Sequence, residues 1–428
     1  MQAMKKLNVL VFPCGSENAG EIAQSLRYSL HVNRLIGASS CEDHGRLHFA
    51  DYIGDVPYIS APEFDTYFAA LLEQHQVDVI FATHDSVCEK LASLALPAAC
   101  YLVNGDKTTT HIARRKSATY AHFAGADWLA HVYPQGVVPD CWPVIVKPDC
   151  GQGGNSVGLA HDRGELEHLL RTVEAPVVVE YLPGNELTVD CFTDRQGRII
   201  WTGPRTRERV RAGIAMRSRF APLEKEIATI AESINARLAL RGPWFFQIKQ
   251  SRTGQWKLLE ISCRIAGTMV AQRAKGVNLP LMALHDYMGR DVTPLQTPHV
   301  AEIERSIKTR AVPTLEYGRV YVDLDDTLIV NDWPNPVVLA FLYQSRANGK
   351  RLFLITRHAC EPLETLNKAA ISPLLFDEII HLREGEHKSS RITGPAMFID
   401  NYFPERVDVA RLENILVLDV DAVEFYLR

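Results

Sequence analysis

The chain lacks the patterns that mark several common protein classes. Its 428 residues include nine cysteines, at positions 14, 41, 88, 100, 141, 150, 191, 263 and 360, and none forms a C-x-x-C pair. An odd, scattered set argues against a zinc site or a disulfide framework. No apolar run is long enough to span a bilayer, and the start MQAMKKLNVLVFP holds one short strand rather than a signal peptide. Net charge is −5, so a general basic surface for nucleic acid or membrane is missing. No G-x-G-x-x-G follows the first strand, and no glycine loop ends in G-K-[ST], which excludes the usual dinucleotide and Walker-type phosphate sites. Internal repeats and low-complexity tracts are absent as well. The expectation is a cytoplasmic protein with small-molecule partners, with no nucleic acid and no membrane among them, and with room for a homodimer.

What is present is ordinary globular composition, with 46% hydrophobic and 23% charged residues. This length suits two to four domains. LNVLVF (7–12) is a buried strand, PCGSENAG turns the chain, and a helix follows. VDVIFATHDSV (77–87) repeats that pattern, so residues 1–105 read as a small α/β domain. Ligands of such sheets lie beyond the strand ends, which makes Ser16, Glu17, Asn18, His84 and Asp85 either substrate contacts or turn and cap residues. VPTLEYG (312–318) reads as a linker, and strand–helix alternation starts afresh after it.

In that last quarter, VYVDLDDTLIV places Asp323 and Asp325 at the end of an apolar strand. Close carboxylates repel unless a cation lies between them, and magnesium suits a sparse oxygen site that also admits a phosphate. LFLITR then ends in Thr356 and Arg357, Lys388 sits in a polar stretch, and AMFIDNYFPE carries Asp400. This ordered set resembles the haloacid dehalogenase-like phosphohydrolases, whose D-x-D-x-T motif is met by Asp323, Asp325 and Thr327. The resemblance implies that Asp323 attacks phosphorus and that Asp325 is the general acid and base. It further implies that Thr356 and Lys388 hold the phosphoryl group, and that Asp323, Asp400 and the Asp325 carbonyl hold magnesium. Asn401 stands where a second acid is frequent, with Glu405 as the other choice. The gaps between motifs are too short for a cap domain, so an open site for a phosphorylated metabolite is expected.

In the middle of the chain, VIVKPDCGQGGNSVGLA (144–160) is a strand, a glycine-rich loop and a strand. Glycines let backbone amides approach anionic oxygens closely. VVVEYLPGNELTVDCF (177–192) follows, and then PWFFQIKQSRTGQWKLLEISCR (243–264), a hairpin with a polar row on apolar strands. The layout resembles the ATP-grasp ligases, nearest the carbamoyl-phosphate-synthetase-like branch, and also ATP-grasp proteins of tellurium-resistance-type operons. The resemblance implies that Lys116 and Lys147 contact ATP phosphates, with Lys107 a competing choice for the first. Gly153, Gly154 and Ser156 would belong to the phosphate loop, Glu180 and Leu182 to the adenine site, and Glu186 to the ribose. Gln247, Glu260 and Ser262 would face magnesium, Ser262 standing where the family usually has Asn. Arg264 would face the acyl phosphate or its carboxylate precursor.

GPRTRERVRAGIAMRSRF (203–220) holds six arginines. It reads either as a solvated loop or as an anion clamp, with Arg205 and Arg211 as its candidates. The expected fold is therefore α/β multidomain: a pre-ATP-grasp α/β domain (1–105), an ATP-grasp α+β domain (106–312) and a capless Rossmann-like haloacid dehalogenase domain (313–428). The expected function is an ATP- and Mg2+-dependent carboxylate–amine ligase fused to a phosphatase. The rival readings are a small-acid kinase with a phosphatase, and a nucleotide sensor that regulates the phosphatase.

Overall fold

In the computed structural model, which describes residues 5–151, 156–211 and 213–428, the apolar run Leu7–Phe12 is a strand buried at every position but Asn8. β-Branched and aromatic residues at successive positions fill both faces, as a central parallel strand requires. It lies in a five-stranded parallel sheet ordered Asp51–Ile53, Val32–Ala38, Leu7–Phe12, Val79–Ala82, Tyr101–Leu102. The chain separates into two units between Ser306 and Ile307, ahead of the linker expected at 312–318. Among the described residues, no helix is long and apolar enough to cross a membrane.

Beyond the parallel sheet, the first unit holds two four-stranded antiparallel sheets. One is ordered Ile199–Thr206, Glu186–Thr193, Gly242–Gln250, Trp256–Ser262, and the other Val132–Tyr133, Pro176–Glu180, Val144–Pro148, Gly158–Ala160. The hairpin expected over 243–264 turns at Gly254, whose φ of 83° lies in the left-handed region that glycine enters freely. Leu10, Phe12 and Ile80 of the parallel sheet share one core with Val189, Trp244 and Phe246 of the antiparallel one. Residues 1–105 thus do not pack apart from the antiparallel sheet that carries the hairpin. Separating them would expose this apolar surface at about 25 cal/mol per Å².

The arginine-rich segment 203–220 is not a loop. Arg209–Arg211 pairs with Ile214–Arg219, which pairs with Glu302–Glu304. Arginines of the first two strands meet glutamates of the third: Arg209–Glu304 at 2.6 Å, Arg219–Glu302 at 2.9 Å and Arg217–Glu302 at 3.2 Å. Opposite charges across a ladder support pairing where apolar side chains are few.

Arg205 is different again, with a side chain only 1% exposed. Its Nε and Nη2 donate to the two oxygens of Asp190, at 2.7 and 3.2 Å, and Gln272 donates to the same carboxylate at 2.9 Å. A buried charge that loses its partner is costly. Arg205→Ala is expected to lower the stability of the first unit by about 3–5 kcal/mol, seen as a shifted denaturant midpoint. The double change Asp190→Leu, Arg205→Met is expected to recover most of that loss. A single variant that unfolds with the wild type would contradict this.

In the second unit, the parallel sheet runs Glu378–His381, Arg351–Thr356, Arg319–Val322, Ala396–Ile399, Ile415–Leu418. Its core joins Val320, Val322, Leu352, Leu354 and Ile399 to Phe341 and Leu342 of the helix Pro336–Ala347. Proline at the first turn and Asn335, whose side chain accepts from the Val337 and Val338 amides, start that helix. Between the first two motif strands, the described residues hold that helix and the small hairpin Ile329–Val330 with Trp333–Pro334.

Candidate functional site

The first unit encloses a cavity of about 760 Å³. Lys147 reaches it from the strand Val144–Pro148, its Nζ donating to the Tyr120 hydroxyl at 3.0 Å and the Leu259 carbonyl at 3.2 Å. Burial strips water from the ammonium and lowers its pKa to about 8. Lys116, at the start of the helix Lys116–His122, lines the same cavity, and burial lowers its pKa also. Lys107 lines a separate surface cavity. Gly153 and Gly154 lie outside the described residues. Gly151 and Val157, at the ends of that loop, face the cavity, whereas Ser156 is exposed with φ 58° and does not line it.

Gln247 and Glu260 are direct neighbours across the hairpin and both line the cavity. Loss of solvent, and then the negative charge of Asp85, raise the Glu260 pKa. Glu180 holds the His131 amide at 2.8 Å, Leu182 is buried beside it, and Glu186 pairs with Arg207 at 2.8 Å. Arg264 donates to Asp85 at 2.9 Å, and Ser262 donates its hydroxyl to the same carboxylate. Ser262 is thus engaged by Asp85, which follows a strand of the parallel sheet.

Of the two arginines expected as a clamp, Arg205 is committed to Asp190, and Arg211 is exposed and does not line the cavity. Arg205 still borders the cavity, and so does Arg207, which sequence reasoning passed over, with Lys249 3.9 Å from the Glu186 carboxylate that Arg207 pairs with. Strand alternation places Arg205 and Arg207 on one side, the signal that would have found it. Ser16, Glu17, Asn18 and His84 also border the cavity. Asn18, however, spends its amide on the carbonyls of Thr83 and Ile265, 3.0 Å from each.

In the second unit, Val322 and Ile399 pair in register, so the next residues, Asp323 and Asp400, emerge side by side. Lys388 lies between them, its Nζ 2.6 Å from Asp323 Oδ1 and 2.7 Å from Asp400 Oδ2. All three are buried. Burial pushes the Asp323 carboxyl up to about 6, against the pull of Lys388. Thr356 ends the other neighbouring strand, fully buried, and its hydroxyl accepts from the His358 amide at 3.1 Å. Asp325 is half exposed and meets His358 at 2.8 Å. Asn401 is held by Thr327 at 3.2 Å, and Glu405 is paired with Arg357, so both alternatives for a second acid already have partners.

Among the described residues, no three His, Cys, Asp or Glu side chains cluster closely enough to hold a metal by themselves. Gln247 with Glu260, and Asp323 with Asp400, are still donor sets that fit magnesium. That ion takes one or two carboxylates and completes its shell with waters and substrate phosphates.

Residues 172–313 match the family model described as ATP-grasp in the biosynthetic pathway with Ter operon. No curated protein matches the chain by sequence. Among solved structures, N5-carboxyaminoimidazole synthetase from Staphylococcus aureus, complexed with ADP, is 14% identical with a TM-score of 0.57, over 68% of this chain and 80% of that one. Biotin carboxylase from Campylobacter jejuni gives 15% and 0.54, over 68% and 73%. L-Amino acid ligase from Bacillus licheniformis gives 17% and 0.52, over 69% and 76%. These likenesses are likenesses of fold, and together with the matched segment they give the first unit an ATP-grasp fold.

Proposed function

We propose that the chain is a bifunctional enzyme: an ATP-dependent carboxylate–amine ligase that works through an acyl phosphate, joined to a phosphatase that works through an aspartyl-phosphate. The observation that carries the first half is the pairing of Gln247 and Glu260 in a cavity that also holds Lys116 and Lys147. Two cations and a carboxylate–amide pair, partly withdrawn from water, suit a metal-bound triphosphate better than any neutral ligand. Lys116 and Lys147 hold phosphate oxygens, Glu180 and Leu182 border the adenine, and Glu186 takes the ribose. Arg264, fixed by Asp85, faces the acid substrate. The neighbouring folds support this reading, since they include a synthetase, a carboxylase and a ligase, one of them bound to ADP.

For the second half, the supporting observation is Lys388 between Asp323 and Asp400. In this reading Asp323 is the nucleophile, Asp325 the proton donor and acceptor, and Lys388 and Thr356 the holders of the phosphoryl oxygens. At both sites, bound magnesium supplies neutralisation of phosphate charge. The substrates are a small carboxylate and an amine for the first unit, and a phosphorylated metabolite for the second.

Mass spectrometry of a cell extract incubated with ATP, magnesium and protein tests both halves. Products formed by the wild type and by Asp323→Asn, but not by Glu260→Ala, report ligation. Phosphoesters consumed by the wild type and by Glu260→Ala, but not by Asp323→Asn, report hydrolysis. ADP formation that needs no amine would replace the ligase with a kinase.

A further inference from the structure

Arg205 keeps one nitrogen unspent. Its Nε and Nη2 donate to Asp190, and Gln272 donates to the same buried carboxylate. Nη1 is buried and has no hydrogen-bond partner among the described residues, although Arg205 borders the cavity. A buried donor left unpaired costs free energy, and native structures rarely leave one without a reason. The strand register shows what shares its face. Arg205 pairs with Thr188, Thr188 with Gln247 and Gln247 with Glu260. Directly opposed residues point to the same side of a sheet, so these four cavity-lining side chains form one row. Strands lie about 4.8 Å apart, which sets Arg205 about 10 Å from Gln247, backbone to backbone. Beside that row, Arg207 pairs with Glu186 at 2.8 Å, and Lys249 lies 3.9 Å from the same carboxylate. Arg205, Arg207 and Lys249 thus face only Asp190 and Glu186, and one positive charge is left over in this corner.

Resting on the ligase reading above, we infer that Arg205 Nη1 is a specificity contact, and that the acid substrate carries a second anionic group besides the carboxylate that reacts. The reacting carboxylate is presented at the Gln247–Glu260 end of the row. The second group, a carboxylate or a phosphoryl group, accepts from Nη1 at the other end. It supplies the acceptor that the protein itself withholds, and its charge matches the one this corner leaves uncompensated. It undergoes no bond change in the reaction; it selects the acid and fixes which end is activated. An acid that ends in a methyl or an amide brings no charge to the corner. A site built to bond a substrate group discriminates against the analogue that lacks it, because its own buried group is then unpaired. Asp190 has a matching part, since it holds the guanidinium by two nitrogens and so turns the third away from itself.

The test uses the full chain with ATP, magnesium and hydroxylamine as the amine, on succinate, 3-phosphonopropionate, succinamate and butyrate. These acids have similar short chains and differ in the far group. Acid-dependent ADP formation gives kcat/KM for each. The better of the two dianions is expected to exceed succinamate and butyrate by about 10–10²-fold, the scale of one hydrogen bond to a charged group. Succinate against 3-phosphonopropionate tells a carboxylate from a phosphoryl group. Arg205→Lys keeps a cation for Asp190 but has no third arm. It is expected to bring the ratio of dianion to succinamate close to one, while magnesium-dependent ATP binding, read by calorimetry, stays as in the wild type. An equal loss on all four acids, with the ratio kept, would reduce Arg205 to a structural role and overturn the inference. If the variant does not fold, the wild-type ratio decides the matter. Succinamate or butyrate turned over as well as the dianions would overturn the substrate class, and so would no turnover of any of the four with ATP binding intact. A wild type that binds no ATP in the presence of magnesium would remove the ligase reading itself.

Discussion

Asp323→Asn is expected to lower phosphomonoester hydrolysis by the full chain by about 10⁴-fold, the scale on which loss of a covalent nucleophile acts. The amide has the same shape but no lone pair able to attack phosphorus at a useful rate. The fold should not suffer. Burial pushes the Asp323 carboxyl up to about 6, which marks the ionised side chain as costly to keep where it is. A neutral isostere escapes that cost, while Lys388 keeps Asp400 as its partner, 2.7 Å away. The expected signature is lost hydrolysis with an unchanged or raised melting temperature, and with ATP turnover at the other site intact. A variant that retains a tenth of the wild-type rate would show that Asp323 does not attack phosphorus.

The second large effect belongs to Glu260. Glu260→Gln is expected to reduce ATP turnover by about 10²–10³-fold, the loss typical when one preorganised electrostatic group is removed from a water-poor site. Gln247 already supplies an amide directly across the hairpin. After the substitution the pair is two amides, with no charge left to hold a divalent ion against the cations of Lys116 and Lys147. Nucleotide binding should therefore lose its dependence on magnesium, and calorimetry with and without the ion reads this directly. Equal magnesium dependence in wild type and variant would remove Glu260 from the metal site.

The grouping of the candidate side chains was legible in the sequence wherever a strand ends. Asp323, Thr356 and Asp400 each close an apolar run, and in a parallel sheet such positions converge on one edge. Gln247 and Glu260 were legible for a similar reason, since one short hairpin fixes their register. What sequence could not supply were partners brought together across long separations. Arg264 finds Asp85 from 179 positions away, and His358 finds Asp325 from 33. No local pattern encodes either meeting, because each depends on how separate elements dock. The segment 203–220 failed in another way. Charged side chains and a glycine resemble a loop, yet ion pairs to Glu302 and Glu304 stand in for the apolar contacts that usually mark a strand.

Those ion pairs have a further consequence. Val210, on the first strand of that small arginine–glutamate sheet, borders the cavity, so part of the cavity wall is fastened by charges open to solvent. Such attractions are screened over about 8 Å at physiological ionic strength and over about 3 Å at 1 M salt. Apolar packing elsewhere in the same unit does not weaken in this way. Ionic strength therefore weakens the fastening of this arginine–glutamate sheet while leaving the shared apolar core untouched.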